Sequence, residues 1–149
     1  MMQHPSAFAK AHPDRPAVVM GDSGRVVTYA ELDARSNQVA HLLRRSGLGV
    51  GAHFALLLEN RAEFLEVMWG ALRAGVYVTP INWHLNPAEV AYVVNDCGAT
   101  MLIGSAPLLA ALGGETIAVA PDRRLAVGGV VPGPVDSEVT RAGTATYET

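Results

Sequence analysis

Asn82, Trp83 and His84 stand in a row inside "RAGVYVTPINWHLNPAEV", residues 73 to 90. A carboxamide and an imidazole beside an indole can hold an anion, pass a proton or stack on a ring. The setting favours an anion. The loop from Pro80 to Leu85 follows a predicted strand, Val76 to Thr79, and runs into a predicted helix start. Ligands of open α/β sheets lie beyond the carboxyl ends of the strands, and free N–H groups at a helix start attract negative charge. Most of the stretch also has a plainer use. Asn86 is a helix cap, Pro87 fits the first helical position and Glu89 completes a capping box, with Leu85 and Val90 placed for a hydrophobic staple. Trp83 fits equally well as packing over the helix start. Asn82 and His84 are left over, and His84 is the candidate ligand contact.

Other chemistry is harder to place. Glu63 and Glu66 are paired carboxylates, but they fall on what reads as the solvated stripe of a helix. "GLGVGA", residues 47 to 52, looks like a phosphate loop, yet it follows a helix and opens a strand, the reverse of what that motif needs. "GDSGR" lacks the spacing of a nucleophile elbow. Cys97 sits at a helix end, where nothing lowers its pKa, and reads as a small buried side chain. His4, His12, His41, His53 and His84 are scattered, with no i, i+4 pair to seed a metal site. No catalytic residue and no metal ligand is assigned.

The elements that position these residues follow from periodicity. Residues 6 to 12 fit a turn or two of helix ending at His12-Pro13. Ala17 to Met20 and Arg25 to Thr28 form a predicted hairpin around Gly21–Gly24. Thr28 and Glu31 make a capping box for a helix whose Leu32, Ser36, Val39 and Leu43 share one row, with Gly47 as its stop. "FALLL", residues 54 to 58, is a strand. Asn60 is expected to cap the next helix, ended by Gly75. In it Glu63, Glu66, Gly70 and Arg73 form the polar stripe, and the rest is apolar and expected to be buried. A helix over residues 87 to 95 and a strand "TMLIG" follow. Then come a short helix from Ser105 to Leu112 and a last strand, "TIAVA". The order β-α-β-α-β-α-β from Phe54 to Ala120 predicts an α/β fold: a parallel sheet with helices on both faces, preceded by a short β-hairpin. "RLAVGG" offers one further short strand. Residues 121–149 read as a linker or disordered tail, against one domain over residues 1–120.

Half of the 149 residues are apolar and the net charge is −3, without runs of one sign. That gives no reason to expect nucleic acid or an anionic membrane as partner. A lone cysteine suits a reducing, cytoplasmic setting, and no apolar run is long enough to span a bilayer.

Two long segments resemble a known family. "VVTYAELDARSNQVAHLLRRSGLGVG" is similar to the first conserved region of the adenylate-forming acyl-CoA synthetases. "ALLLENRAEFLEVMWGALRAGVYVTPINWHLNPAEVAYVVNDCGATMLI" is similar to the second. The resemblance runs over residues 6 to 112, and the "PINWHL" form points to ligases of fatty or other acids. It implies the first αβ subdomain of the large N-terminal domain. It also implies an enzyme that uses ATP and magnesium to make an acyl-adenylate, then passes the acyl group to coenzyme A. The family's phosphate loop, its aromatic-Thr-Glu motif, its ribose-binding Asp and its C-terminal Lys have no counterpart in these residues. The chain alone is therefore expected to bind none of these cofactors and to be inactive. The position matching His84 is, in some members, an Arg that meets a CoA phosphate. The resemblance thus implies a CoA phosphate contact at His84, weaker than Arg because imidazole is largely neutral at pH 7. Two partners are expected: a second copy, or a polypeptide carrying the missing half.

Overall fold

The computed structural model describes residues 4–128. The chain opens with helix α1 (Pro5–Ala11), then the antiparallel hairpin β1 (Pro16–Val19) and β2 (Val26–Thr28). Helix α2 (Tyr29–Arg45) starts on the expected box: Thr28 accepts from the Glu31 N–H, and the Glu31 carboxylate accepts from the Thr28 N–H at 2.8 Å. There follow β3 (His53–Leu57), α3 (Ala62–Ala74), β4 (Tyr77–Pro80), α4 (Pro87–Asp96), β5 (Met101–Ser105), α5 (Ala106–Ala111) and, after a 3-10 turn, β6 (Arg124–Val127).

Strands β3 to β6 form one parallel sheet in the order β4-β3-β5-β6. The two central strands are the two unbroken apolar runs, because a strand buried on both faces has no solvent side to mark with polar residues. Phe54, Leu56, Met101 and Ile103 face a core shared with α2 and α3. Ala55, Leu57 and Leu102 face a second core shared with α4 and α5. Helices thus cover both faces, as expected. Gly104 lets the second core approach the sheet tightly: a Cβ there would lie 2.9 Å from Leu109 of α5 and 3.0 Å from the Leu57 carbonyl oxygen.

Three expectations are corrected. "TIAVA" is not a strand. Its backbone groups are taken by side chains instead: the Asn95 carboxamide donates to the Thr116 carbonyl at 2.8 Å and accepts from the Ala118 N–H at 2.7 Å. The Arg124 guanidinium donates to the carbonyls of Ile117 and Val119. Ile117 and Val119 still bury their side chains in the second core. The ladder position beside β5 goes to Arg124–Val127, past residue 120. The rest of the expected tail, residues 129–149, lies outside the described residues.

Asn60 does not cap α3. Arg61 is the N-cap, with no side-chain hydrogen bond to the first turn.

The polar stripe of α3 is not solvated. Gly70 packs on α2 so closely that a Cβ would lie 2.4 Å from Val39 Cγ1, and Glu66 is only 2% exposed. Leu65 and Leu72 face outward instead, at 38% and 59% exposure. The small residue decides which face docks. Gly70 lets the two backbones approach, and the polar groups beside it pair across the seam. Glu66 meets Arg35 at 2.8 Å, and Arg73 reaches Asp33, Ser36 and Asn37.

Candidate binding site

From β3 the chain crosses over α3 to β4, on one side of β3. From β4 it returns over α4, on the opposite face, to β5 on the other side of β3. That reversal leaves a crevice beyond the carboxyl ends of β3 and β5, the usual ligand position in open parallel sheets. The loops at this end of the sheet include residues 58–61, 81–86 and the β5–α5 junction at Ser105 and Ala106.

His84 is exposed in the loop after β4. Its backbone N–H donates to Asn82 Oδ1 at 3.0 Å, and its ring lies against Trp83 with centroids 3.6 Å apart and planes tilted by 32°. The Trp83 ring is half-buried against the second core, so it fixes the inner wall of the loop on which His84 rests. The start of α4, however, is already occupied. Asn86 Oδ1 accepts from the Glu89 N–H at 3.0 Å, and Glu89 Oε2 accepts from the Asn86 N–H at 2.9 Å. That carboxylate offsets the helix-end positive potential on which an anion would depend. His84 and Asn82 are therefore together, beside a helix start already held by its own capping box.

Sequence reasoning missed a second set of residues. Glu59 follows β3 directly, and its Oε1 accepts from Ser105 Oγ, at the end of β5, at 2.8 Å. This bond bridges the crevice. Glu59 Oε2 is out of contact with water and has no hydrogen-bond partner among the described residues. Arg61 donates through Nε to Glu63 Oε2 at 3.0 Å, and Arg25 of the hairpin donates to Glu63 Oε1 at 3.1 Å. Burial pushes the Glu63 carboxyl up. Its own backbone N–H and the two guanidiniums outweigh that and hold it at about 2. The Arg61 guanidinium also lies over the end of β6, where a Cβ on Gly128 would come within 2.9 Å of it. Gly128 has φ +75° and no side chain, so it leaves room for the guanidinium. Glu59, Arg61 and Glu63 line a cleft of about 330 Å3 together with Asp22, Ser23 and Arg25 of the hairpin. The signal for them was positional: Glu59 and Ser105 are the first polar residues after two fully apolar strand runs.

The other expected candidates stay apart. Cys97 caps the end of α4, half-buried, with its thiol near the Val94 carbonyl. His53 bonds to Thr79 across β3 and β4 at 2.7 Å. Among the described residues no three of His, Cys, Asp or Glu are grouped to hold a metal ion. No helix is long and apolar enough to cross a membrane, again among the described residues. The start of α4 is held by its own Glu89, and at the carboxyl end of the sheet Glu59 is bonded to Ser105 and Glu63 to Arg61 and Arg25.

A parallel α/β layer with its open crevice at the carboxyl edge defines a class of small-molecule-binding folds. Within it the chain belongs to the AMP-binding enzyme family, whose pattern matches residues 6–138. Among relatives, it is 33% identical over 102 residues to a fatty acid–[acyl-carrier-protein] ligase, ScoC, of Streptomyces coeruleorubidus. That match covers 68% of this chain and 19% of the relative. Among solved structures it resembles the N-terminal domain of FACL13 from Mycobacterium tuberculosis, with TM-score 0.66, 30% identity, and coverage of 71% of this chain and 27% of that one. It also resembles the O-succinylbenzoate coenzyme A synthetase of Bacillus subtilis in complex with AMP. There the TM-score is 0.64 and the identity 28%, over 72% of this chain and 28% of that one. The chain spans about a fifth of the length of the curated relatives it matches.

Proposed function

We propose that this chain is the N-terminal αβ portion of an ATP-dependent acyl-CoA synthetase acting on a carboxylic acid such as a fatty acid. The match over residues 6–138 carries the reading, and fatty-acid ligases among the relatives support it. The match covers only about a fifth of the relatives' length, so ATP, magnesium and coenzyme A are cofactors of the assembled enzyme. Adenylation needs a phosphate cradle, charge neutralisation and a positioned carboxylate. The described residues supply none of these, so the chain alone is inactive. Fatty-acid-dependent ATP–pyrophosphate exchange on the purified chain tests this. The expected result is no exchange above buffer, with exchange restored when the chain replaces the matching segment of a full-length relative. Clear exchange by the chain alone overturns the inactivity, and a folded but dead chimaera overturns the family role.

In such an assembled enzyme His84 contacts a CoA phosphate from the loop after β4. His84→Arg, which restores a permanent cation, is expected to lower the KM for coenzyme A with kcat little changed.

A second reading is a split or truncated subunit that acts as a binding module for a partner carrying the missing half, or that self-associates. Exposed Leu72 and Tyr77, at 59% and 69%, and the edge of β4, unpaired among the described residues, favour it. Light scattering that finds a strict monomer at high concentration counts against self-association.

A further inference from the structure

We propose that the outward ridge of α3, made by Leu65, Met68, Trp69 and Leu72, is the docking surface for the remaining polypeptide of the assembled enzyme, and that the outward face of α4 stays in water. This rests on the reading of the chain as part of a longer acyl-CoA synthetase, and it says which side of the layer is interior.

Helix α3 is inside out. A surface helix turns its apolar stripe to the core and its charges to water. Here Glu66 and Arg73 turn inward instead, to Arg35 and to Asp33, Ser36 and Asn37 of α2. Glu63, in the first turn, is held by Arg61 and Arg25. Between Leu65 and Leu72 the one charged residue is the buried Glu66, so no charge faces water. Leu65 and Leu72 are exposed, and Met68 and Trp69 are half-buried between them. Steps of three, four and seven residues fall on one side of a helix, so the four side chains form a single ridge.

The opposite layer is ordinary. The exposed positions of α4 include Glu89, Tyr92, Asn95 and Asp96, while its Val90, Ala91 and Val94 are buried in the second core. That helix is complete with water outside it. What covers the α3 ridge follows from length. The matching segment is 27% of the FACL13 N-terminal domain, so most of a single domain lies beyond it. Domains are built as layers on shared apolar faces, and the α3 face is the one this layer leaves apolar. A second copy is the competing occupant, and the experiment separates the two.

The experiment compares the 149-residue chain with a chimaera in which it replaces the matching segment of a full-length relative. Both are freed of other cysteines, Cys97→Ser in this chain, and each receives one new thiol, Leu72→Cys or Tyr92→Cys, at positions that are both exposed in the chain. The rate of maleimide labelling is measured. In the chain alone the two thiols are expected to react at similar rates. In the chimaera Leu72→Cys is expected to react at least about tenfold more slowly, because burial leaves only a transiently opened fraction reactive, and Tyr92→Cys as before. Where a cysteine variant fails to fold by circular dichroism, hydroxyl-radical oxidation of the unsubstituted proteins reads the same ridge at Met68 and Trp69, with Tyr92 as control.

The proposal is overturned by undiminished reactivity of the ridge in a folded chimaera, or by equal protection of Tyr92. It is also overturned if Leu72→Cys labelling slows in the chain alone as its concentration rises, which assigns the face to a second copy. A chimaera that does not fold overturns it too, since the ridge has then met no surface that fits. The ligase reading fails separately. A folded chimaera with a protected ridge and no ATP–pyrophosphate exchange keeps the docking and loses the activity; an active chimaera with a reactive ridge does the reverse.

Discussion

Gly70 holds the α2–α3 seam by having no side chain. Alanine there must displace Val39 or the Ser36 backbone, since its Cβ would lie 2.4 Å from one and 3.0 Å from the other. Overpacking against a β-branched side chain and a helix backbone is expected to cost about 1–3 kcal/mol, read as a lowered urea midpoint with an unchanged slope. The neighbouring Glu66–Arg35 pair is asymmetric. Glu66 is buried, whereas Arg35 keeps about a third of its side chain in water (35%). Removing Arg35 strands a buried carboxylate, while removing Glu66 lets the guanidinium rehydrate. Arg35→Ala is therefore expected to lose about 3 kcal/mol, and Glu66→Met distinctly less. Equal losses in the two denaturation curves would contradict the burial argument. Glu63 gives a pH signature. Its carboxyl is held down at about 2 in the fold against an ordinary 4.5. Its contribution is therefore complete above pH 4.5 and fades as the pH falls toward 2. Glu63→Gln is expected to flatten the acid limb of the stability curve in that window and leave it unchanged in shape above it.

At the scale of elements, two short segments are held by side chains rather than by ladders. Asn95 fixes residues 116–118 through both ends of its carboxamide. Asn95→Ala frees the Thr116 carbonyl and the Ala118 N–H together, an expected loss of about 1–3 kcal/mol with faster amide exchange at Ala118. Helix α1 rests on His4. The Nδ1 atom of that ring accepts from the Ser6 N–H to cap the helix, and the ring meets Trp69 edge-on at 5.1 Å. Only a neutral ring can accept at Nδ1 while carrying its proton on Nε2. Burial first, and then Arg73, hold the imidazole below 6.5, with Asp33 opposing. The sign follows: the contribution of His4 to α1 docking is fully present above pH 6.5 and weakens as the pH falls below it. With Trp83 replaced by Phe, Trp69 is the remaining tryptophan. Its fluorescence is expected to change between pH 7 and pH 5, and His4→Asn, a cap without a charge to gain, is expected to abolish the change. The capping boxes of α2 and α4 were readable in advance because a cap is a contract between residues three apart. The strand "TIAVA" was misread because its apolar rhythm is real: Ile117 and Val119 are buried as a strand's would be. What denies it a place in the ladder is Asn95, 21 positions upstream, a distance at which local pattern carries no information.

Over the whole molecule, the outward row of Leu65 and Leu72 and the exposed Tyr77 on edge strand β4 are the surface that the proposed assembled enzyme or a second copy would cover. Leu72→Lys is expected to reduce any self-association seen in sedimentation with little change in melting temperature, because Leu72 is mostly exposed and belongs to none of the apolar cores of the described residues. Local chemistry in the chain determined the elements, their caps, the parallel architecture and the loop that carries His84, since turns, caps and apolar runs act over a few residues. It did not determine which stripe of α3 docks, because hydrophobicity alone ranks Leu72 above Gly70 for burial. Close approach of two helix backbones reverses that ranking, and it exists only once α2 and α3 meet. Nor did it bring Glu59 and Ser105 together. That meeting depends on strand order, with β5 laid beside β3 rather than β4, and strand order is settled by the crossovers of the finished sheet.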